Sequence, residues 1–320
     1  PIVKSIIEEN LDKKNDLDFS NLLLLAIAYS ASIGGMATPI GTIPNAIFIG
    51  FLEENYQVVI DFKSWIFHIF PLVLTLIILL LSYIYLRIDR PNESISKSKL
   101  KRDYLSLGKF SRNEKITSFI ITLTAFLWIF KSKLNIIFNI NLTDSIIAIF
   151  GGILFFIIPT TNYKSILNND WFLKIPWNIL ILFGGGLALA SLIISSGLAD
   201  KLAIILEALS NLDLFLIILV IALFTSFMTE FTSNTATTFL LLPILSVFAN
   251  SNNFDLIQIL LPFILCASCA FMMPISTPPN AIVYSNNSFK INFMVKNGLV
   301  MNFTAIITIT VYTFIFGGIK

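Results

Sequence analysis

Runs of apolar side chains about as long as a bilayer core is thick recur along this chain, and they restrict it to a membrane fold before any motif is read. They cover Phe19 to Phe51, Trp65 to Leu86, Ile116 to Phe130, Ser145 to Pro159, Trp177 to Leu198, Leu214 to Ala249, Leu256 to about Ser285, and Gly298 to Phe316. A span of about 20 apolar residues crosses a bilayer as a helix, because lipid leaves backbone N–H and C=O groups nothing to bond but one another. Composition agrees: 56% of residues are hydrophobic and only 12% charged, where soluble chains carry about a quarter charged. The expected fold class is an all-α polytopic membrane protein. A net charge of +2 offers no basic surface for nucleic acid. The chain opens on Pro1 without a charged n-region and short apolar run, and reads as beginning within a longer protein.

Three of the runs are not simple spans. Residues 19–51 and 256–285 are broken internally by Gly, Pro and Asn. Residues 214–249 are too long for one span and carry the polar string Thr229-Glu230-Phe231-Thr232-Ser233-Asn234-Thr235. Arms of about 14 to 16 residues at roughly 1.5 Å each cross about two thirds of the bilayer core or a little more, so the sequence predicts a re-entrant hairpin. Runs 64–159 and 177–198 read as scaffold spans, and 298–316 as the last span. Nine Lys and Arg between Arg87 and Lys115 place that loop in the cytoplasm. Alternation then puts Lys4, Lys13, Lys14, Lys164, Lys174, Lys290 and Lys296 inside. Residues 52–63, both ends of the hairpin and the C-terminus fall outside.

The two broken runs contain nearly the same words. Pro39-Ile40-Gly41-Thr42-Ile43-Pro44-Asn45-Ala46-Ile47-Phe48 and Pro274-Ile275-Ser276-Thr277-Pro278-Pro279-Asn280-Ala281-Ile282-Val283 agree at seven of ten positions. The predicted topology runs them in opposite directions, so they are inverted copies, the pattern of a secondary transporter with its site near the bilayer midplane. Pro44 and Pro278-Pro279 suit a helix start, where a missing N–H is no loss. A half-helix beginning there turns its positive end toward the membrane centre, a place for an anion. Carbonyls freed by the break are a place for Na+. The same reasoning applies to Ser233-Asn234-Thr235 before Ala236.

Other features admit plainer readings. Ser-Asn-Thr before a helix is ordinarily a cap, and its depth in an apolar hairpin opposite a Thr-Pro-Pro-Asn break is what points to function. Glu230 is the one ionisable residue within the hairpin; it is either functional, as intramembrane carboxylates tend to be, or a structural acceptor. His68 reads as interfacial, and Gly184-Gly185-Gly186 as close helix packing. Cys266 and Cys269, in an apolar run, read as core residues.

Thr232-Ser233-Asn234-Thr235-Ala236-Thr237-Thr238 followed by Met273-Pro274-Ile275-Ser276-Thr277-Pro278-Pro279-Asn280-Ala281 resembles the divalent anion:sodium symporter family. Ser32-Ile33-Gly34-Gly35-Met36-Ala37-Thr38-Pro39-Ile40-Gly41-Thr42 and Leu182-Phe183-Gly184-Gly185-Gly186-Leu187-Ala188 are similar to two further signatures of it. The resemblance implies an inverted-repeat transporter, usually a homodimer in the cytoplasmic (inner) membrane, moving di- or tricarboxylates or sulfate with Na+ by elevator-type displacement. It implies a second sodium site from Thr229, Thr232, Asn234 and Ser276. The first sodium site would draw on Gly41 and Asn45. The anion would meet Ser233, Asn234, Thr235, Thr277 and Pro278, with Thr42 from the first half. The chain departs from the family in carrying one Ser-Asn-Thr, whose partner is expected upstream of residue 1, and in Ile43 where the family usually has Pro. These 320 residues by themselves are therefore expected not to transport.

A sodium-independent dicarboxylate exchanger of the same fold is the alternative, and a passive anion channel a more remote one. An intramembrane hydrolase lacks its motifs: there is no His-Glu-x-x-His, no Gly-x-Ser-x-Gly and no paired intramembrane Asp. With no Lys or Arg in the expected cradle, the sequence leaves sulfate, succinate and citrate open.

Overall fold

The computed structural model describes residues 17–87, 104–106, 108–159, 166–167, 173, 175, 177–285 and 289–317. Every regular element among them is helical: α1 (Leu17–Gly35), α2 (Ile43–Tyr56), α3 (Phe62–Arg87), α4 (Arg112–Phe138), α5 (Asp144–Ile157), α6 (Trp177–Ser195), α7 (Leu198–Leu206), a 3-10 turn (Glu207–Asn211), α8 (Leu214–Phe231), α9 (Asn234–Ser251), α10 (Leu256–Ala267), α11 (Pro278–Tyr284) and α12 (Ile291–Phe316). Helices α3, α4, α8 and α12 are long and apolar enough to cross a membrane. Of the cytoplasmic loop that orients the sequence, Arg90, Lys97, Lys99, Lys101 and Arg102 lie outside the described residues, as do Lys4, Lys13, Lys14, Lys164 and Lys174.

Several boundaries differ from the sequence reading for identifiable reasons. Residues 177–198 are not one straight span: Leu180–Ser195 and Leu198–Asn211 meet at 77°. Gly197 makes the turn at φ 70°, a conformation glycine adopts without a Cβ penalty. The last helix begins at Ile291, not Gly298. Asn297 stays inside it because its Nδ2 donates to Phe293 O at 2.6 Å and its Oδ1 accepts from Tyr83 Oη at 2.7 Å. The hairpin arms are 18 residues each, about 27 Å at a rise of ~1.5 Å per residue. The first is longer than expected because Thr229 and Glu230 remain helical, their polar atoms being met by Asn234 and Ala267 and by residues 271–273 and Asn302; the second starts at Asn234 and runs to Ser251.

The chain divides into two compact units, one of Pro1–Ile60, Ser64–Ile95 and Leu182–Lys320, the other of Asp61–Lys63 and Ser96–Ile181. In the first, Tyr29, Phe48, Phe51, Trp65, Phe248, Phe263 and Phe271 are fully buried. Packing there is crossed: α1 lies on α11, while α10 lies on α2. That exchange is what two copies related by a pseudo-twofold axis produce. Helix α12 packs on α8 and α10, and α9 on α7, α10 and α2. Prolines 243 and 262 sit inside α9 and α10, as prolines do in membrane helices; Ser246 Oγ donates to Pro243 O at 2.8 Å.

In the second unit α4 and α5 pack together. Ser111 and Glu114 form a reciprocal capping box at the start of α4. Lys131 Nζ meets Asp144 Oδ1 at 2.9 Å, and Trp128 Nε1 donates to Asp144 O at 3.1 Å.

Candidate functional site

The two breaks start their half-helices in the same register. Ile43 and Pro278 hold the same place in the aligned decapeptides, and each is the first residue of its helix. The preceding residues, Thr42 and Thr277, are extended with nearly identical backbone angles (φ −133°, ψ 148° and φ −139°, ψ 149°). Proline at the first turn fixes φ for the helix and removes an N–H that has no partner there. Gly41 keeps the first break tight: a Cβ on it would strike the carbonyl oxygen of Gly35.

Behind the breaks lies a matched pair of asparagines, both fully buried. Asn45 Nδ2 donates to Met36 O at 3.3 Å and Thr38 O at 2.9 Å. Asn280 Nδ2 donates to Ala270 O at 2.9 Å and Met273 O at 3.1 Å, and lies 3.3 Å from Ser276 Oγ. Two carbonyl acceptors fix each amide's orientation. The Oδ1 of each is then buried without a hydrogen-bond partner, an arrangement that costs about 1–3 kcal/mol apiece.

The hairpin tip is two extended residues, Thr232 (φ −121°, ψ 167°) and Ser233 (φ −69°, ψ 136°), after which α9 begins at Asn234. The Ser233 hydroxyl does not cap α9, so the plain capping reading does not describe it. Asn234 Oδ1 accepts from Thr229 Oγ1 at 2.6 Å, and the same hydroxyl lies 3.1 Å from Ala267 O at the end of α10. One hydroxyl oxygen, one amide oxygen and one backbone carbonyl thus gather beside the hairpin tip. A hard cation takes oxygen ligands of this kind.

A cavity of about 420 Å³ joins these elements. Gly41, Thr42, Ser233, Asn234, Thr235, Ser276, Thr277 and Pro278 line it together, with Ala31, Ser32, Ile43, Pro44, Leu182, Ser268 and Pro279. No charged side chain is among them. Three expected site residues stand apart from its wall. Thr229 reaches it only through Asn234, and Asn45 is buried behind the first break. Thr232 is exposed, its Oγ1 bonded to Met228 O at 2.9 Å and paired with Thr237 Oγ1 at 2.6 Å, so its side chain faces away from the Thr229–Asn234 pair.

Donors around the cavity are unequally distributed. Pro278 and Pro279 carry no N–H, and the amide of Asn280 is already bonded to Thr277 Oγ1 at 3.4 Å. The first N–H groups of α9 have no partner within their own helix, which leaves the hairpin end as the richer source of donors for an anion.

The sequence reading missed Ser268, whose Oγ bonds Thr42 Oγ1 at 3.2 Å across the two halves; a small polar residue just beyond a helix end in an apolar run was the available signal. It also missed Asn302, fully buried on α12. Glu230 is fully buried and is the acceptor that one of its two readings expects. Its Oε1 accepts from Phe271 N at 2.7 Å, Met272 N at 2.8 Å and Asn302 Nδ2 at 2.8 Å, and its Oε2 from Met273 N at 2.9 Å. Cys266 and Cys269 are buried free thiols. A Cβ on Gly186 would strike the Phe239 ring, which is close packing of the kind expected there. His68 Nε2 lies 3.2 Å from Gly317 O.

The chain is 35% identical over 304 residues to a protein of Staphylococcus saprophyticus named sodium-dependent dicarboxylate transporter SdcS, covering 92% of this chain and 59% of that protein. It is 36% identical over 317 residues to the protein of the same name from Staphylococcus aureus strain USA300, covering 96% and 61%. The chain therefore spans about three fifths of the length of these relatives. The family model for the sodium:sulfate symporter transmembrane region matches residues 1–319, and the chain belongs to that family, the divalent anion:sodium symporters.

Proposed function

We propose that this chain forms the substrate-holding part of a transporter that carries a dicarboxylate into the cell with Na+. The reading is supported above all by one observation: the hairpin tip and both breaks contribute neutral donors and oxygens to one cavity. The relatives named as sodium-dependent dicarboxylate transporters favour a dicarboxylate such as succinate or malate over sulfate. The anion is held by the first amides of α9 and by the hydroxyls of Thr42, Ser233, Thr235 and Thr277, beside Pro278. One Na+ is held at Thr229, Asn234, Ser276 and the Ala267 carbonyl, with Thr232 contributing through its backbone. A second is held on the first-half side by Gly41 and Asn45, whose unpartnered Oδ1 is an acceptor of the right chemistry.

Coupling follows from sharing. Asn234 belongs to both the cation cluster and the cavity wall, so ordering it around Na+ also fixes the tip that faces the carboxylate. Such coupling typically amounts to about 1–3 kcal/mol. It is needed because moving a dianion into a negative interior is opposed by roughly 2.3 kcal/mol per charge per 100 mV. Two Na+ neutralise the dianion, and a third lets the potential drive uptake. The protein works in the bacterial cytoplasmic membrane as a homodimer, each protomer displacing its hairpin-bearing part in an elevator-type motion.

The test is uptake of labelled succinate in proteoliposomes with Na+ or K+ outside, using the protein that contains these residues. Asn234→Ala and Thr277→Ala should each abolish sodium-dependent uptake while leaving the folded fraction unchanged. Unaltered uptake in both would refute the assignment. Counterflow equal with and without Na+ would identify an exchanger, and non-saturating flux a channel.

A further inference from the structure

The carboxylate of Glu230 is the most heavily hydrogen-bonded side chain around the second break, yet it does not line the cavity. Its described contacts are four donors, three consecutive backbone N–H groups and the Asn302 amide, at 2.7 to 2.9 Å. Four donors and no acceptor is the surrounding that suits an ionised carboxylate, which can only accept. No cationic side chain is among those contacts. Bonds of this kind are roughly twice as strong as neutral ones.

The residues they hold are in the middle of the break between α10 and α11. At one flank of that break is Ala267 O, 3.1 Å from Thr229 Oγ1. At the other are Ser276 and Thr277, in the cavity wall. A clamp at Phe271–Met273 therefore sets where both flanks lie relative to the Thr229–Asn234 oxygens. Glu230 follows Thr229 directly on α8, so its backbone adjoins the cation cluster, and its described contacts include no cationic side chain.

We infer that Glu230, braced by Asn302 of α12, is the positioning residue for the second cation: it holds the break so that Ala267 O and Ser276 meet Thr229 and Asn234, and its charge favours a cation there. The inference rests on the sodium-coupled reading above and deepens it. It places the larger effect of Glu230 on Na+, since of the anion-facing residues only Thr277 lies on the clamped break.

The experiment is sodium-dependent succinate uptake by wild type, Glu230→Gln and Glu230→Asp in proteoliposomes, with hydrogen exchange at residues 271–273 measured on the same preparations. Glu230→Gln keeps the shape but sets an NH2 against N–H donors. It should raise half-saturating Na+ about tenfold, the loss of roughly one charge-assisted interaction, and speed exchange at 271–273. The succinate KM at saturating Na+ should stay within about twofold. Glu230→Asp keeps the charge and should fall between. If Glu230→Gln does not fold, Asn302→Ala, which removes one donor and keeps the carboxylate, should raise half-saturating Na+ a few-fold. Half-saturating Na+ unchanged in the folded variants overturns the inference, as does a parallel rise in Na+ requirement and succinate KM, which a merely structural role would give. Failure of the underlying reading is distinct: wild type itself would take up succinate without responding to Na+, and the inference would fall with it.

Discussion

Adding one methyl group at Gly298 tests whether the second break must lie hard against α12. A Cβ built there meets the carbonyl of Phe271 and stands 2.6 Å from Met272 Cα. Carbon atoms pack at about 3.5–4.0 Å, so backbone must withdraw by about 1 Å. Backbone cannot rotate aside as a side-chain tip can. If the break retreats, the three N–H bonds to Glu230, now 2.7, 2.8 and 2.9 Å, stretch past hydrogen-bonding distance. If α12 retreats instead, the Asn302 amide leaves Glu230. Overpacking of this kind costs about 1–3 kcal/mol, and each charge-assisted bond lost adds roughly 1.5–3 kcal/mol. The protein with Gly298→Ala should therefore melt several degrees lower and need more Na+ for half-maximal uptake, measured by thermal unfolding in detergent and by uptake in proteoliposomes. A variant as stable and as sodium-sensitive as wild type would refute the close approach and the role given to the clamp.

Thr229→Val keeps the volume and removes the hydroxyl that lies 2.6 Å from Asn234 Oδ1; half-saturating Na+ should rise about tenfold, read from sodium titrations of uptake. Asn45→Ala and Asn280→Ala each remove two side-chain bonds to carbonyls, some of which keep another donor, and should lower stability by roughly 1–3 kcal/mol. Equal melting temperatures across wild type and both variants would show that the breaks are held some other way. Lys131→Met should shift stability by no more than about 1 kcal/mol, less at high salt, because Asp144 is 40% exposed; unfolding at two ionic strengths checks it.

How much of this was legible in the sequence depends on whether backbone or side chains set the feature. Proline and glycine act on the backbone locally, so the register of both half-helices could be read from Pro44 and Pro279 without knowing any partner. The hairpin tip was legible for the same reason, since Ser233 interrupts two apolar helices. The helix ends set by side-chain satisfaction were not. Asn297 looks like a helix boundary until Tyr83, distant in sequence, supplies its donor. Asn302 gave no sign of its role because its partner, Glu230, lies on another helix, and the crossed packing of α1 on α11 is equally non-local. Glu230 itself was conspicuous in sequence, but what it bonds was not.

The inverted repeat is matched in backbone and unmatched in what secures it. Met36 and Phe271 occupy equivalent positions of the two breaks. At Met36 the carbonyl is held, by Trp65 Nε1 at 3.0 Å and Asn45 Nδ2 at 3.3 Å. At Phe271 the N–H is held, by the Glu230 carboxylate. Asparagine amides hold carbonyls in both breaks, and the Glu230 carboxylate holds the second as well, so two halves with the same fold differ in the groups behind their breaks. A twofold-related fold supplies two similar oxygen-lined breaks; the side chains behind them decide that the two are not equivalent. The asymmetry needs no difference in helix placement, since Thr42 and Thr277 keep backbone angles within a few degrees of each other. On the sodium-coupled reading proposed above, exchanging the securing groups, not reshaping the breaks, is the route by which sodium affinity would be moved from one half to the other.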